Sequence, residues 1–269
     1  MSNTQDVFRS FWYGDRLPRH AQLCLASFVD RGSPVALYAF RKLDAPFGVE
    51  LRDAAEVLPE SQVFYYKTRD GSRGTVSGFA NWFRYVLLAR EGGWWIDADV
   101  LRLEGPLPQT PLYFGWESDV RIGNAVMKAP PATPFLRAAE RETAALGANA
   151  YHGQTGPGLI TRLVHEHGVV GEARPAEEVY PIPHEDYAAV TRAAETARVV
   201  AAVSGRPFLH LWNDMFRRNG SRAIDEPEPG SFLDLKFREH GSARRRLARV
   251  FAVTAARLST PGWQARKSS

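Results

Sequence analysis

Gly92 and Gly93 split residues 77–100 into two elements that cannot share one kind of structure. Ahead of them, Phe79, Trp82, Phe83, Val86, Leu87 and Arg90 recur at i, i+3, i+4, i+7, i+8 and i+11, the apolar stripe of a helix with a snorkelling basic end. Ser77 stands where an N-cap would, although no Glu or Gln follows three residues on. The two glycines supply the left-handed conformation that stops a helix. Behind them, Trp94-Trp95-Ile96 is too short and too aromatic for a second helix and reads as a buried strand. That strand runs out on Asp97 and Asp99. A second helical face carries Asn81, Arg84, Tyr85 and Leu88, so Asn81 and Arg84 project together, away from the apolar stripe.

In α/β sheets, ligands gather outside the carboxyl ends of strands. Two carboxylates one residue apart place their oxygens within reach of one hard cation, directly or through water, and such a cation can hold a diphosphate. An Asp-x-Asp tripeptide by itself suits a solvated turn equally well, so its surroundings must decide.

Those surroundings are Ala80, Asn81, Arg84, Tyr85, Gly92, Gly93, Trp95, Asp97 and Asp99. Their spacing resembles the sugar-binding, DXD-containing region of the glycosyltransferase family 32 group, related to the catalytic domains of clostridial glucosylating toxins. There, a Ser-Asp-x-x-Arg-Tyr helix runs into Gly-Gly, an aromatic and Asp-x-Asp. This chain departs at Asn81, where the family usually has Asp; Asn keeps a carbonyl acceptor but loses the charge that would pair with Arg84, so donor-sugar preference is expected to differ. Thinner likenesses follow at Thr155-Gly156-Pro157 and His210-Leu211-Trp212-Asn213.

The resemblance implies an α/β fold of GT-A type, a central mixed sheet flanked by helices, and transfer of a hexose from a nucleotide-diphosphate sugar, UDP favoured, with retention. It implies Mn²⁺ or Mg²⁺ held by Asp97, Asp99 and His210, although a lone histidine in an apolar strand also suits a core. Trp12 would lie against the base, or equally belong to the core. Asn81, Arg84, Tyr85 and Trp95 would face the donor, with Arg84 neutralising the diphosphate, Trp212 walling it and Asn213 close by. Retention by double displacement needs a carboxylate beneath the sugar, for which Glu117 and Asp119 are the sequence candidates. The acceptor would be a saccharide, a lipid-linked or small-molecule hydroxyl, or a polysaccharide. Two alternatives stand beside this reading: a metal-dependent nucleotidyl or phosphoryl transferase, or a non-enzymatic basic binding protein.

The remaining pattern builds a sheet around that stretch. Residues 7–12 and 34–40 read as strands about a helix over 20–30, which predicts a right-handed βαβ unit. Residues 52–64 mix a short helix with a strand-like Val63–Tyr66, and 67–76, rich in Gly and basic residues, read as a loop that either lies near phosphates or merely connects. Strands are expected at 100–103, 112–116 and 122–127, the last interrupted by Gly123-Asn124, either a bulge or a close approach of backbone to ligand. Helices are expected over 134–146 and from Pro157 to His167.

The single cysteine, Cys24, sits in an apolar run and reads as a buried, inert thiol, and no disulfide can form within the chain. The polar opening residues lack the apolar core of a signal peptide, and no run reaches transmembrane length. The expected location is the cytoplasm. The net charge of +4 conceals an asymmetry: residues 241–269 hold seven bases and no acid, leaving −3 on residues 1–240. We therefore expect one catalytic domain over 1–240 and a basic helical tail over 241–269, which either docks on the domain or meets an anionic membrane at its inner face. Basicity confined to a tail on an acidic body argues against nucleic acid as a partner.

Overall fold

The computed structural model describes residues 7–68 and 74–251, with side chains described to residue 241. The elements in chain order are β1 (Phe8–Trp12), α1 (Arg19–Asp30), β2 (Val35–Ala39), β3 (Val49–Asp53), α2 (Ser77–Glu91), β4 (Gly93–Ile96), β5 (Val100–Arg102), β6 (Trp116–Ser118) and β7 (Arg121–Ile122). Then come β8 (Val126–Ala129), α3 (Pro134–Leu146), α4 (Pro157–Glu166), α5 (Ala176–Val179), α6 (Thr196–Val203), β9 (Phe208–His210), α7 (Asn213–Arg218) and α8 (Phe232–Phe251). Single turns of 3₁₀ helix link several of them.

The chain is a mixed α/β protein whose central five-stranded sheet runs β3-β2-β1-β4-β8. The first four strands are parallel and β8 is antiparallel to β4. From β1 the chain steps outward through β2 and β3, then returns to place β4 on the other flank of β1. The order of strands therefore reverses between β1 and β4, and a crevice opens beyond their carboxyl ends. Two small antiparallel pairs, β5–β9 and β6–β7, stand beside this edge.

Alternation along the strands assigns the two faces. Phe11 and Trp95 turn to the layer of α2, α3 and α4, while Phe8, Trp94 and Ile96 turn to α1 and Phe208. Trp94 and Trp95 are each almost fully buried, one on either face of a single strand. Burying aromatic side chains of this size contributes several kcal/mol, on the order of 25 cal/mol per Å² of apolar surface, which fixes β4 at the centre of the sheet. The third core cluster joins α1 to β5, β9 and α8.

The βαβ unit, the helix over 134–146 and the glycine stop stand as expected. Gly92 sits at φ 65° as the cap of α2, and a Cβ there would lie 2.5 Å from the Pro131 nitrogen, so side chain and conformation are both excluded. Other expectations are corrected. Ser77 is the first residue of α2 rather than its N-cap; its hydroxyl meets that of Thr75 at 2.6 Å. The polar face of α2 does not point away from the core: Asn81, Arg84, Tyr85 and Leu88 are buried, because the helix is covered on both sides, and Arg90 is the exposed end. Val63–Tyr66 forms no strand; β3 lies earlier, an edge strand whose outward Glu50 and Arg52 pair at 2.8 Å. Residues 112–116 supply two isolated bridges, Tyr113 to Lys128 and Gly115 to Arg174, and the strand proper starts at Trp116. Of the expected loop, residues 69–73 lie outside the described residues, as does the tail beyond 251. Helix α8 begins at Phe232 and carries the chain past residue 240. Among the described residues no helix is long and apolar enough to cross a membrane.

Candidate active site

Beyond β4 the chain makes a tight reversal. The Asp97 N–H donates to the Ala125 carbonyl at 2.8 Å, continuing the β4–β8 pairing, and the Val100 N–H donates to the Asp97 carbonyl at 3.0 Å. Asp97 and Asp99 thus leave the sheet at the crevice before β5 begins. Because β5 pairs with β9 in the register Val100 to His210, the imidazole arrives opposite the end of this turn. The Leu211 N–H then donates to the Asp99 carbonyl at 2.9 Å. Trp212 follows in the left-handed region at φ 56°, a strained setting for a bulky residue that swings the chain into α7. The Asn213 N–H at the start of α7 donates to Asp99 Oδ2 at 2.9 Å. His210 Nε2 lies 3.2 Å from the same oxygen. One ligating atom from each of Asp97, Asp99 and His210 falls within 4.8 Å of the others.

The hydrogen bonding leaves each acid half engaged. Asp97 Oδ1 accepts from Arg84 Nη2 at 2.5 Å and Trp95 Nε1 at 2.8 Å, while its Oδ2 is bonded to no described residue. Asp99 Oδ2 takes its two donors, and its Oδ1 takes none among the described residues. Burial raises the Asp97 carboxyl above the usual aspartate range, against the opposing pull of Arg84. Burial also works on Asp99, but His210 and the Asn213 N–H outweigh it and hold that carboxyl well below its ordinary value. For His210 burial favours the neutral ring, yet Asp99, Asp97 and Glu117 together raise it. His210 Nδ1, and Nε and Nη1 of Arg84, are buried without a hydrogen-bond partner among the described residues. A buried donor left unmade costs about 1–3 kcal/mol, a cost that a bound polar group would remove. Two hard carboxylate oxygens and an imidazole fit a divalent cation.

The other expected residues divide into two groups. Trp12 closes β1, the parallel neighbour of β4, on the same edge, with its buried indole N–H unpartnered. Trp212 packs at a tilt against His210, ring centres 4.2 Å apart, and donates to the Ile182 carbonyl at 2.8 Å. Asn213 enters through its backbone N–H. Arg84 lies over the Trp95 ring at 5.0 Å. Glu117 is 13% exposed with Arg121 4.0 Å away, and burial raises its carboxyl; Asp119 is exposed in the β6–β7 turn.

Asn81 and Tyr85 are engaged inside the protein. Asn81 Nδ2 donates to the Tyr66 hydroxyl at 3.1 Å and to Thr155 Oγ1 at 3.3 Å. Its Oδ1 accepts from Asn124 Nδ2 at 3.1 Å. The Tyr85 hydroxyl donates to the Thr155 carbonyl at 2.8 Å and accepts from Asn124 at 3.0 Å. Thr155 of the Thr-Gly-Pro turn is thereby locked to α2. Sequence reasoning read Tyr66 only as the end of a strand-like run and missed its bond to Asn81, and it missed Tyr180, whose hydroxyl accepts the Ala125 N–H at 3.2 Å.

The chain matches no protein-family model and no curated protein. A solved structure to which it is similar is the PaToxG glycosyltransferase, at 10% identity and a TM-score of 0.42, over 90% of this chain and 86% of that one.

Proposed function

We propose that the chain is a metal-dependent, retaining glycosyltransferase of GT-A type that moves a hexose from a nucleotide-diphosphate sugar, UDP favoured, to a saccharide, polysaccharide or other hydroxyl. The observation that carries the reading is the convergence of Asp97, Asp99 and His210 at the strand-order reversal between β1 and β4. The residue pattern over 80–99 adds the resemblance to glycosyltransferase family 32.

In this reading Asp97, Asp99 and His210 hold Mn²⁺ or Mg²⁺, which supplies Lewis-acid neutralisation of the diphosphate. Arg84, clamped by Asp97 and Trp95, offers its remaining donors to the negative charge that develops on the leaving group. Trp12 stacks on the base, Trp212 walls the diphosphate and Asn213 keeps Asp99 oriented. Asn81 and Tyr85 hold the Thr155 turn in place and shape the sugar side. If retention proceeds by double displacement, Glu117 suits the role better than Asp119, because it is shielded and within the electrostatic reach of His210. Residues 1–240 serve as the catalytic domain of a cytoplasmic protein, and the basic tail over 241–269 gives peripheral contact with anionic membrane.

The test is release of nucleoside diphosphate from a panel of UDP- and GDP-sugars, with Mn²⁺ and with chelator, in wild type and Asp99→Ala. Metal-dependent release from one donor, lost in the variant, supports the reading. No cleavage of any donor under either condition overturns it.

A further inference from the structure

The candidate metal group is divided between two sheets. Asp97 follows β4 of the five-stranded sheet, whereas His210 ends β9, which pairs with β5 alone. Within the backbone, the turn through Asp97 and Val100 joins them, and turns yield more readily than sheets. A second connection comes from Tyr180, a residue of neither sheet. Its hydroxyl accepts the Ala125 N–H at 3.2 Å, and the Ala125 carbonyl accepts the Asp97 N–H at 2.8 Å. One residue, Ala125, thus separates the phenol from the backbone of an acid ligand. The ring of the same tyrosine packs against His210, centres 5.8 Å apart, and against Trp212 at 5.5 Å. Tyr180 therefore touches both limbs of the site.

The surroundings are shaped for this contact. A Cβ on Gly123 would stand 2.3 Å from the Tyr180 hydroxyl, so only glycine lets the phenol reach the β7–β8 link. Tyr180 is 2% exposed, and the site reaches it from one side through His210 and from the other through Ala125. Rigid packing transmits displacement, and a ligand set must be held within about 0.5 Å to bind well.

We propose that Tyr180 is a positioning residue that sets the separation of Asp97 from His210, with Gly123 as its required seat. The inference rests on the metal-site reading above, and acts through orientation of ligands rather than contact with substrate. Partners of this kind typically govern metal affinity by about 10- to 100-fold.

The experiment is Mn²⁺ titration of the full chain, followed by calorimetry or by the loss of free-ion electron paramagnetic resonance signal, in wild type, Tyr180→Phe, Gly123→Ala and Tyr113→Phe. Tyr113 is the control: it is fully buried, and its hydroxyl has no partner, so its removal leaves no donor unpaired. We expect Tyr180→Phe to weaken Mn²⁺ by about 10-fold and Gly123→Ala by at least as much, with Tyr113→Phe unchanged. Thermal melts on the same samples separate orientation from unfolding: the inference needs Tyr180→Phe to lose affinity while its native state persists at the titration temperature. Wild-type binding with unchanged affinity in Tyr180→Phe overturns the inference alone. Equal loss in Tyr113→Phe overturns it as well, by showing a general response of the core. Failure of wild type to bind Mn²⁺ overturns the metal-site reading and this inference with it.

Discussion

Two of this chain's partly buried histidine–aspartate contacts are nearly alike in length and opposite in company. His210 meets Asp99 at 3.2 Å beyond β4; His20 meets Asp225 at 2.9 Å at the start of α1. Asp225 is spent on structure. It accepts the His20 backbone N–H at 2.8 Å, placing a carboxylate at the positive end of α1, and its own carbonyl accepts from Arg19 at 2.5 Å. Asp99 also caps a helix, but it shares its neighbourhood with Asp97 and with Arg84, which donates to that second acid. The pair itself therefore says little about function. A second acid and an arginine bonded to it distinguish a site from a staple.

The widest separation should come from isosteric changes at the two aspartates. Asp99→Asn should lower turnover of the nucleotide sugar by about 10²- to 10³-fold, the scale for losing one preorganised electrostatic group. Asp225→Asn should leave turnover unchanged and reduce unfolding free energy by about 1–2 kcal/mol through the lost cap and pair. Steady-state kinetics beside denaturant melts give both readings. Loss of turnover in Asp225→Asn at unchanged stability would collapse the distinction.

Arg84 offers the next largest effect. Arg84→Lys keeps the charge but not the planar fork that binds Asp97, lies over Trp95 and still presents two nitrogens. We expect kcat to fall by about 10²-fold in Arg84→Lys. Full activity in Arg84→Lys would mean that only the net charge near Asp97 matters.

These contrasts also show what could be read before any coordinates. Residues 92–99 announced themselves, since two glycines, two tryptophans and two acids leave few options for local structure, and Pro134 marked the start of α3. The convergence of Val100 with His210 was beyond local pattern, because it depends on a pairing across more than a hundred residues of chain. The orientation of α2 was misjudged for a physical reason: a helix packed between two layers carries no polar side to read, and its internal polar residues look like surface ones. Asn81 illustrates the point, as its partners Tyr66, Asn124 and Thr155 come from three separate segments.

Cys24 lies in α1 with no exposed surface, and burial holds its thiol well above the ordinary range, with Asp99 and Asp225 both adding to the rise. It should be unreactive to a disulfide reagent in the native state, and labelled only on opening of α1. Asp225→Asn should speed labelling about 5- to 30-fold, matching its loss of stability, if opening remains fast relative to the reagent. Rapid labelling of the wild type would show that α1 is not held as the Asp225 contacts imply.

The smallest effect is the pH dependence of stability. At Asp225 burial raises the carboxyl, but the His20 side chain and N–H overcome it and lower the value in the folded chain. The unfolded chain then takes up the proton first as acid is added. This contribution is present above the ordinary aspartate value of 3.8 and is lost as pH falls through the folded value. His240, beside Asp30 at 2.7 Å, is lowered by burial, which exceeds the pull of that acid. Here too the unfolded chain gains the proton first, so stability should decline as pH drops below 6.5. Denaturant melts across pH 3–7 should therefore show two separate declines. Asp225→Asn should shrink the lower one, to which Asp99 and Glu239 also contribute, and leave the upper, since His240 belongs to the α1–α8 contact and not to the α1 N-terminus. A single decline removed entirely by Asp225→Asn would show that the two contacts titrate as one unit.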